Sequence, residues 1–277
     1  NGHIYMKLIG VPFKLNVAAL NNNQIQTAYV VGGGSKSVTV KLVDNSDNAC
    51  VLNSSQSNYC SATCTAKTAV TGGSQTLTFT SGDSGQKQSA NFTLNTAYSK
   101  LAAIISDGTT TACATDAFSV RPTAISAVTS ATATNATSAG IPSFRAGNDQ
   151  FPLTATISGI AGSPNGYTGV LKINNSVLQT VAPATTMGVV APATFGAATS
   201  ATPNATATGS TFTYSEVGAF ALPGYNPASD TSTPRGVFDG VQTGTECSAM
   251  TVAQCDTVKS ATWTGVDSVS TAGDCVV

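Results

Sequence analysis

The stretch A-C-A-T-D-A-F-S-V-R-P-T-A-I, from Ala112 to Ile125, decides how this chain is read. Cys113 stands near its start, Phe118 and Val120 alternate with smaller or polar neighbours, and Arg121-Pro122 closes the run. Alternation of period two marks a strand with one buried face. Proline has no N–H to donate to a ladder, so the strand stops at Pro122. The stretch reads as the last strand of one β module and the hinge into a second. Module one is expected to span residues 1–122 and module two residues 123–277, the second with long loops and with a truncated C-terminal end as a further expectation.

Outward from this strand the same period recurs. Phe13, Leu15 and Val17 point one way with Lys14 and Asn16 the other, and Val38, Val40 and Leu42 repeat the pattern. Leu77/Phe79 and Phe92/Leu94 follow, while the continuous L-A-A-I-I of 101–105 suits a strand buried on both faces. Turn clusters at Asn21-Asn22-Asn23, Gly32-Gly33-Gly34, Gly72-Gly73 and Ser81-Gly82-Asp83 separate these runs. In the second module Phe151, Leu153, Ala155 and Ile157 share a face, V-L-K-I-N (170–174) forms a strand, and order returns at 211–222. Residues 181–210, rich in Ala, Thr, Pro and Gly, read as a long surface loop or an irregular edge excursion. Short strands between turn signals predict an all-β fold, two tandem immunoglobulin-like β-sandwich domains with disulfides.

Charge narrows the function classes. Only 9% of residues are charged, 12 basic against 13 acidic, so no field draws in nucleic acid or an anionic membrane. A hydrophobic content of 41% is enough for a core and argues against disorder. No apolar run reaches the roughly 20 residues that span a bilayer. Cysteines at 50, 60, 64, 113, 247, 255 and 275 indicate disulfides and an oxidising compartment. Zinc ligation is the weaker reading, because no C-x-x-C pair is present and His3 is the one histidine. In a sandwich the strands at 38–44 and 98–106 run in opposite directions, which puts Cys50 at the far pole from Cys113. The expected pairs are therefore Cys50–Cys60, Cys64–Cys113 and a local Cys247–Cys255, with Cys275 unpaired or bonded to an external partner. Closure between Cys64 and Cys113 is worth about 4 kcal/mol on the chain-entropy account.

Motifs for catalysis are weak. A hydrolytic triad needs a base beside its nucleophile, and His3 lies at a terminus. Gly32-Gly33-Gly34-Ser35-Lys36-Ser37 lacks the order and spacer of a phosphate loop. Asp44-Asn45-Ser46-Asp47-Asn48 offers oxygens as a calcium loop does, but Ser55 stands where the bidentate glutamate belongs, and an Asx-rich turn is the preferred reading. Glu216 and Glu246 are the only glutamates, with nothing to join them in a cleft. Asn-x-Ser/Thr sequons at Asn53, Asn91, Asn135, Asn174 and Asn204 are uninformative in so Ser/Thr-rich a chain. Tyr225 and Trp263 could stack on sugars, though a hydrophobic plug under a loop is the plainer reading. The chain is expected to be no enzyme and to need no cofactor or metal.

H-I-Y-M-K-L-I-G-V-P-F-K-L-N-V-A-A-L (3–20), V-T-V-K-L-V-D (38–44), A-C-A-T-D-A-F-S-V-R-P (112–122) and Y-S-E-V-G-A-F-A-L (214–222) together resemble the DUF6701 region of MshQ-type proteins. Those are large secreted bacterial proteins encoded with mannose-sensitive-haemagglutinin and other type IV pilus systems. The resemblance implies a secreted, cell-surface, pilus-associated or adhesin-like role without catalytic residues. The 45–74 loop with Cys60 and Cys64, and the 181–210 insertion, depart from it.

The leading expectation is an extracellular structural or adhesive protein of a bacterial surface or pilus-type assembly. It contacts copies of itself or other surface proteins through β-sheet surfaces. The alternative is a monomeric tip adhesin that binds a carbohydrate or receptor. Unpaired edge N–H and C=O groups seek partners. The N-terminal strand of Ile4, Tyr5, Met6, Lys7, Leu8 and Ile9 is expected to add to a neighbour's sheet.

Overall fold

The computed structural model describes residues 4, 6–51, 60–122, 124–130, 145–158, 166–173, 175, 178–182, 186–202, 204–217, 219–221 and 237–239. These residues are nearly all β, with almost no helix: one single-turn α-helix (α1, Ala62–Thr65), one 3-10 turn (Ser81–Asp83) and a 3-10 position at Asn175. The chain divides into two compact units, Asn1–Arg121 and Pro122–Val277.

Unit one contains β1 (Lys7–Leu8), β2 (Asn16–Ala18), β3 (Leu20–Asn21), β4 (Gln24–Ile25), β5 (Ser35–Asp44), β6 (Ser74–Thr80), β7 (Gln86–Gln88), β8 (Tyr98–Ser106) and β9 (Thr111–Arg121). Its main sheet runs β1-β9-β8-β5-β6. β5, β6, β8 and β9 are antiparallel neighbours, and β1 lies parallel to β9, with Lys7 opposite Val120 and Leu8 opposite Arg121. Alternation sorts the side chains. Val38, Val40, Leu42, Leu77, Leu101, Phe118 and Val120 are buried on one face. Against it lies a second layer in which β2 pairs with β7 and Phe13 bridges Phe92. Phe13 stacks on Phe92 at 5.7 Å and meets the Phe118 ring edge-on at 6.0 Å. Ser89, buried in that layer, receives the Leu15 N–H on its Oγ and donates its own N–H to the Leu15 carbonyl.

The opposite face of the sheet is also covered. Val43, Ala102, Ile104 and Cys113 pack there with Cys60 and Cys64 from the 45–70 connection. Burial on both faces explains why Leu101 to Ile104 are all buried, the continuous apolar run that the sequence displays. The β3–β4 hairpin turns through Asn22 (φ 48°) and Asn23 (φ 62°), the two left-handed positions of a type I′ turn.

Unit two contains β10 (Ala124–Thr129), β11 (Phe151–Ser158), β12 (Val170–Ile173), β13 (Gln179–Ala182), β14 (Val190–Ala191), β15 (Thr194–Ala197), β16 (Ala205–Tyr214), β17 (Ala219–Ala221) and β18 (Val237–Asp239). It forms a four-stranded sheet β10-β11-β16-β14, a three-stranded sheet β15-β12-β18 and the pair β13-β17, all antiparallel. Phe151, Leu153, Ala155 and Ile157 are buried along β11, as their alternation requires. Phe195 of the three-stranded sheet meets Phe212 of the four-stranded one edge-on at 5.1 Å, so the two sheets share a core.

Of the two readings of residues 181–210, a long surface loop or an irregular edge excursion, the long loop does not hold: the end of β13, β14, β15 and the start of β16 lie within them. Apart from Val190 and Phe195, their inward positions are small, Ala198, Ala205 and Ala207, and in β16 alanine alternating with threonine gives almost no hydrophobic contrast. No helix among the described residues is long and apolar enough to cross a membrane.

Candidate functional site

The most elaborated part of the described structure is the 45–70 connection over the second face of the main sheet. It begins with interlocked Asx turns. The Asp44 carboxylate accepts from the Ser46 N–H, Asn45 Oδ1 from Cys50 N–H at 2.7 Å, and Asp47 Oδ1 from Ala49 N–H. Asn45 is 2% exposed, so its amide holds the turn from inside. Lys67 returns to this turn from the far end of the connection. Its Nζ donates to the Asp44 carbonyl at 2.6 Å and to both Asp47 carboxylate oxygens at 2.7 and 2.8 Å. Of the oxygens that suggested a calcium loop, the Asp47 carboxylate is thus taken by a lysine ammonium, while Asp44 Oδ1 and Asn45 Oδ1 accept from backbone N–H groups. The Lys67 hydrogen bond, foremost, holds the Asp47 carboxyl below its ordinary pKa.

Between these ends α1 is capped by Ser61, whose Oγ accepts from Cys64 N–H at 3.2 Å and donates to the Ala49 carbonyl. Lys41, on the covered face of β5, donates its Nζ to the carbonyls of Thr65 and Lys67, the latter at 2.8 Å. One cap and two lysines therefore dock the helical turn onto the sheet and carry its cysteine inward.

Four sulfurs converge there. Cys50 is bonded to Cys64 and Cys60 to Cys113. This corrects the expected pairs Cys50–Cys60 and Cys64–Cys113. β5 and β8 are antiparallel as expected, but Cys50 does not lie at the far pole from Cys113: through its bond to Cys64 its sulfur joins the same cluster, although it does not bond Cys113. What sequence spacing does not reveal is the helical turn, which sets Cys64 between the two partners: its Sγ lies 3.6 Å from Cys113 Sγ without a bond. Cys60, Cys64 and Cys113 have their sulfurs within 4.8 Å of one another, and all three are buried. Cys247, Cys255 and Cys275 lie outside the described residues.

The expected assembly strand is engaged within its own chain. Lys7 and Leu8 pair with β9, Ile9 N–H donates to the Arg121 carbonyl, and Ile4 N–H donates to Asp116 Oδ2. Met6, Leu8 and Ile9 are buried. Tyr5 lies outside the described residues. The strand thus covers the C-terminal end of β9 at one edge of the main sheet. The other edge is β6, beyond which no strand is paired among the described residues. β6 reads Ser74-Gln75-Thr76-Leu77-Thr78-Phe79-Thr80, with Leu77 and Phe79 inward and no charge or proline along it.

The remaining candidates are dispersed. Tyr29 Oη donates to Asp107 Oδ2 at 3.0 Å under the Lys36 ammonium, which sits 4.4 Å from the Tyr29 ring centre. Burial foremost, and then Asp107, push the Tyr29 hydroxyl up to about 12. Gly32 and Gly33 form an exposed left-handed turn before β5. Glu216 is half-buried in unit two. His3, Glu246, Tyr225, Trp263 and the sequons at Asn53, Asn135 and Asn174 fall outside the described residues, whereas Asn91 and Asn204 are exposed.

Sequence reasoning passed over Lys67 and Ser61, whereas Asn45 was read as part of an Asx-rich turn, which it forms. The available signals were a serine before A-T-C-T, as an N-cap stands before its helix, and an Asx cluster followed by lysines. No protein-family model matches the chain, and no curated protein matches it.

Proposed function

We propose that this chain is an extracellular structural or adhesive protein that contacts copies of itself or partner surface proteins through β-sheet edges. The observation that carries the reading is β6, an uncharged, proline-free strand at the end of a five-stranded sheet. Such edges are usually blunted by lysine, proline or a bulge, because their free N–H and C=O groups pair with other chains. Two disulfides in unit one support an oxidising compartment. Two tandem immunoglobulin-like sandwiches are the architecture proposed for the units. The resemblance of residues 3–20, 38–44, 112–122 and 214–222 to MshQ-type proteins points to a pilus-associated bacterial surface.

Electron microscopy and light scattering of the oxidised full chain test this. Thr76 and Thr78 are exposed on β6, and lysine at both positions should leave the monomer folded and abolish self-association. Filaments that persist in Thr76→Lys/Thr78→Lys would place the contact elsewhere. A strictly monomeric chain that binds glycans on an array would instead establish the tip-adhesin reading.

A further inference from the structure

We propose that the four sulfurs of Cys50, Cys60, Cys64 and Cys113, once both disulfides are reduced, form a tetrathiolate site for one zinc ion. The inference is independent of the compartment in which the oxidised protein works.

Geometry carries it. Tetrahedral zinc with Zn–S bonds of about 2.3 Å holds its sulfurs about 3.8 Å apart. Cys64 Sγ and Cys113 Sγ, which are not bonded to each other, already stand 3.6 Å apart. Cys60 Sγ joins them within 4.8 Å, and Cys50 shares the cluster through its bond to Cys64. An ion at the centre needs each bonded pair to open to the spacing that the unbonded pair already has, and the Cys50 sulfur, outside the close trio, to swing in beside them.

The scaffold matches what a zinc ion asks of its ligands. Cys60 and Cys64 are separated by three residues, a spacing within the range of zinc-ligand pairs, and α1 with its Ser61 cap fixes the second of them. Cys113 comes from β9 and Cys50 from a turn whose N–H is held by Asn45, so the ligands arise from three rigid supports. Val43, Ala102 and Ile104 wall the cluster and keep water from it. Lys41, on the same face, supplies a cation near a site that would carry two negative charges.

The chemistry balances. Each S–S bond takes two electrons and two protons from a dithiol, which leaves as its cyclic disulfide, and four thiols result. Zinc then binds four thiolates, and four protons pass to solvent. Two equivalents of the cyclic disulfide reverse this by thiol–disulfide exchange: both S–S bonds re-form, the oxidant leaves as dithiol with the two electrons of each bond and two protons taken back from solvent, and the ion is released.

The test uses the full chain with Cys247, Cys255 and Cys275 replaced by serine, reduced anaerobically with a phosphine and titrated with cobalt(II), then zinc. The expected result is a tetrahedral, sulfur-ligated cobalt spectrum that saturates at one equivalent and is bleached by one equivalent of zinc. Zinc should also raise the thermal midpoint of the reduced chain. Cys64→Ser and Cys113→Ser should each weaken binding at least tenfold and remove the thermal gain. Three outcomes would each overturn the proposal: no saturation at one equivalent, an unchanged spectrum in Cys113→Ser, or a reduced chain whose β-sheet circular dichroism zinc fails to restore.

Discussion

Gly85 shows how a single residue is dictated by its surroundings. Its φ is +77°, and a Cβ there would press on the Gln26 carbonyl. Gly108 has a similar φ of +85° with nothing within 4 Å of the same position. Both alanine substitutions incur the left-handed penalty of about 1 kcal/mol, and only Gly85→Ala adds a backbone clash. Urea unfolding should therefore show Gly85→Ala losing about 2–3 kcal/mol and Gly108→Ala about 1 kcal/mol. Equal losses would mean that the 26–85 contact gives way. Tyr29 sets a pH limit at the same scale. A raised folded pKa means that the neutral hydroxyl is favoured by folding. That contribution is present below the ordinary tyrosine value of 10.0 and is lost as pH climbs towards about 12. Tyr29→Phe should flatten the fall in stability over that window, measured by denaturant titration at stepped pH.

At the scale of elements, the 45–70 connection is held by covalent and ionic ties together. Cys60–Cys113 closes a separation of 53 residues and Cys50–Cys64 one of 14. The chain-entropy account assigns about 4 kcal/mol to the first and about 3 kcal/mol to the second. The Cys60→Ser/Cys113→Ser pair should thus cost more than Cys50→Ser/Cys64→Ser, and non-reducing peptide mapping should recover the two bonds as described. Since the Lys67 ammonium already occupies the Asp44 backbone carbonyl and the Asp47 carboxylate, millimolar calcium should leave the thermal midpoint unchanged; a clear rise would show that the lysine is displaced. The strands themselves were legible wherever large apolar residues alternate with polar ones, as in β5 and β11. The first half of β16 was not, because Ala-Thr alternation carries too little contrast, and β14 and β15 were not, because runs of two and four residues are too short to show a period. Cysteine pairing was equally hidden, since a single helical turn decides which sulfur faces which.

For the whole molecule, the charge balance is the governing quantity. With 12 basic and 13 acidic residues, association has little long-range electrostatic drive or repulsion. Self-association measured by sedimentation should barely change between low salt and about 0.5 M, where charges beyond a few ångströms are screened. A steep salt dependence would point to a charged interface in place of a strand edge.

Composition and period alone determined that this chain is β-rich, nearly neutral and built for disulfides, because those properties are local or additive along the sequence. Where the N-terminal strand pairs, which cysteines bond and which edge stays open were decided only in three dimensions. Each depends on residues distant in the chain meeting at distances of a few ångströms, and no local pattern encodes such a meeting.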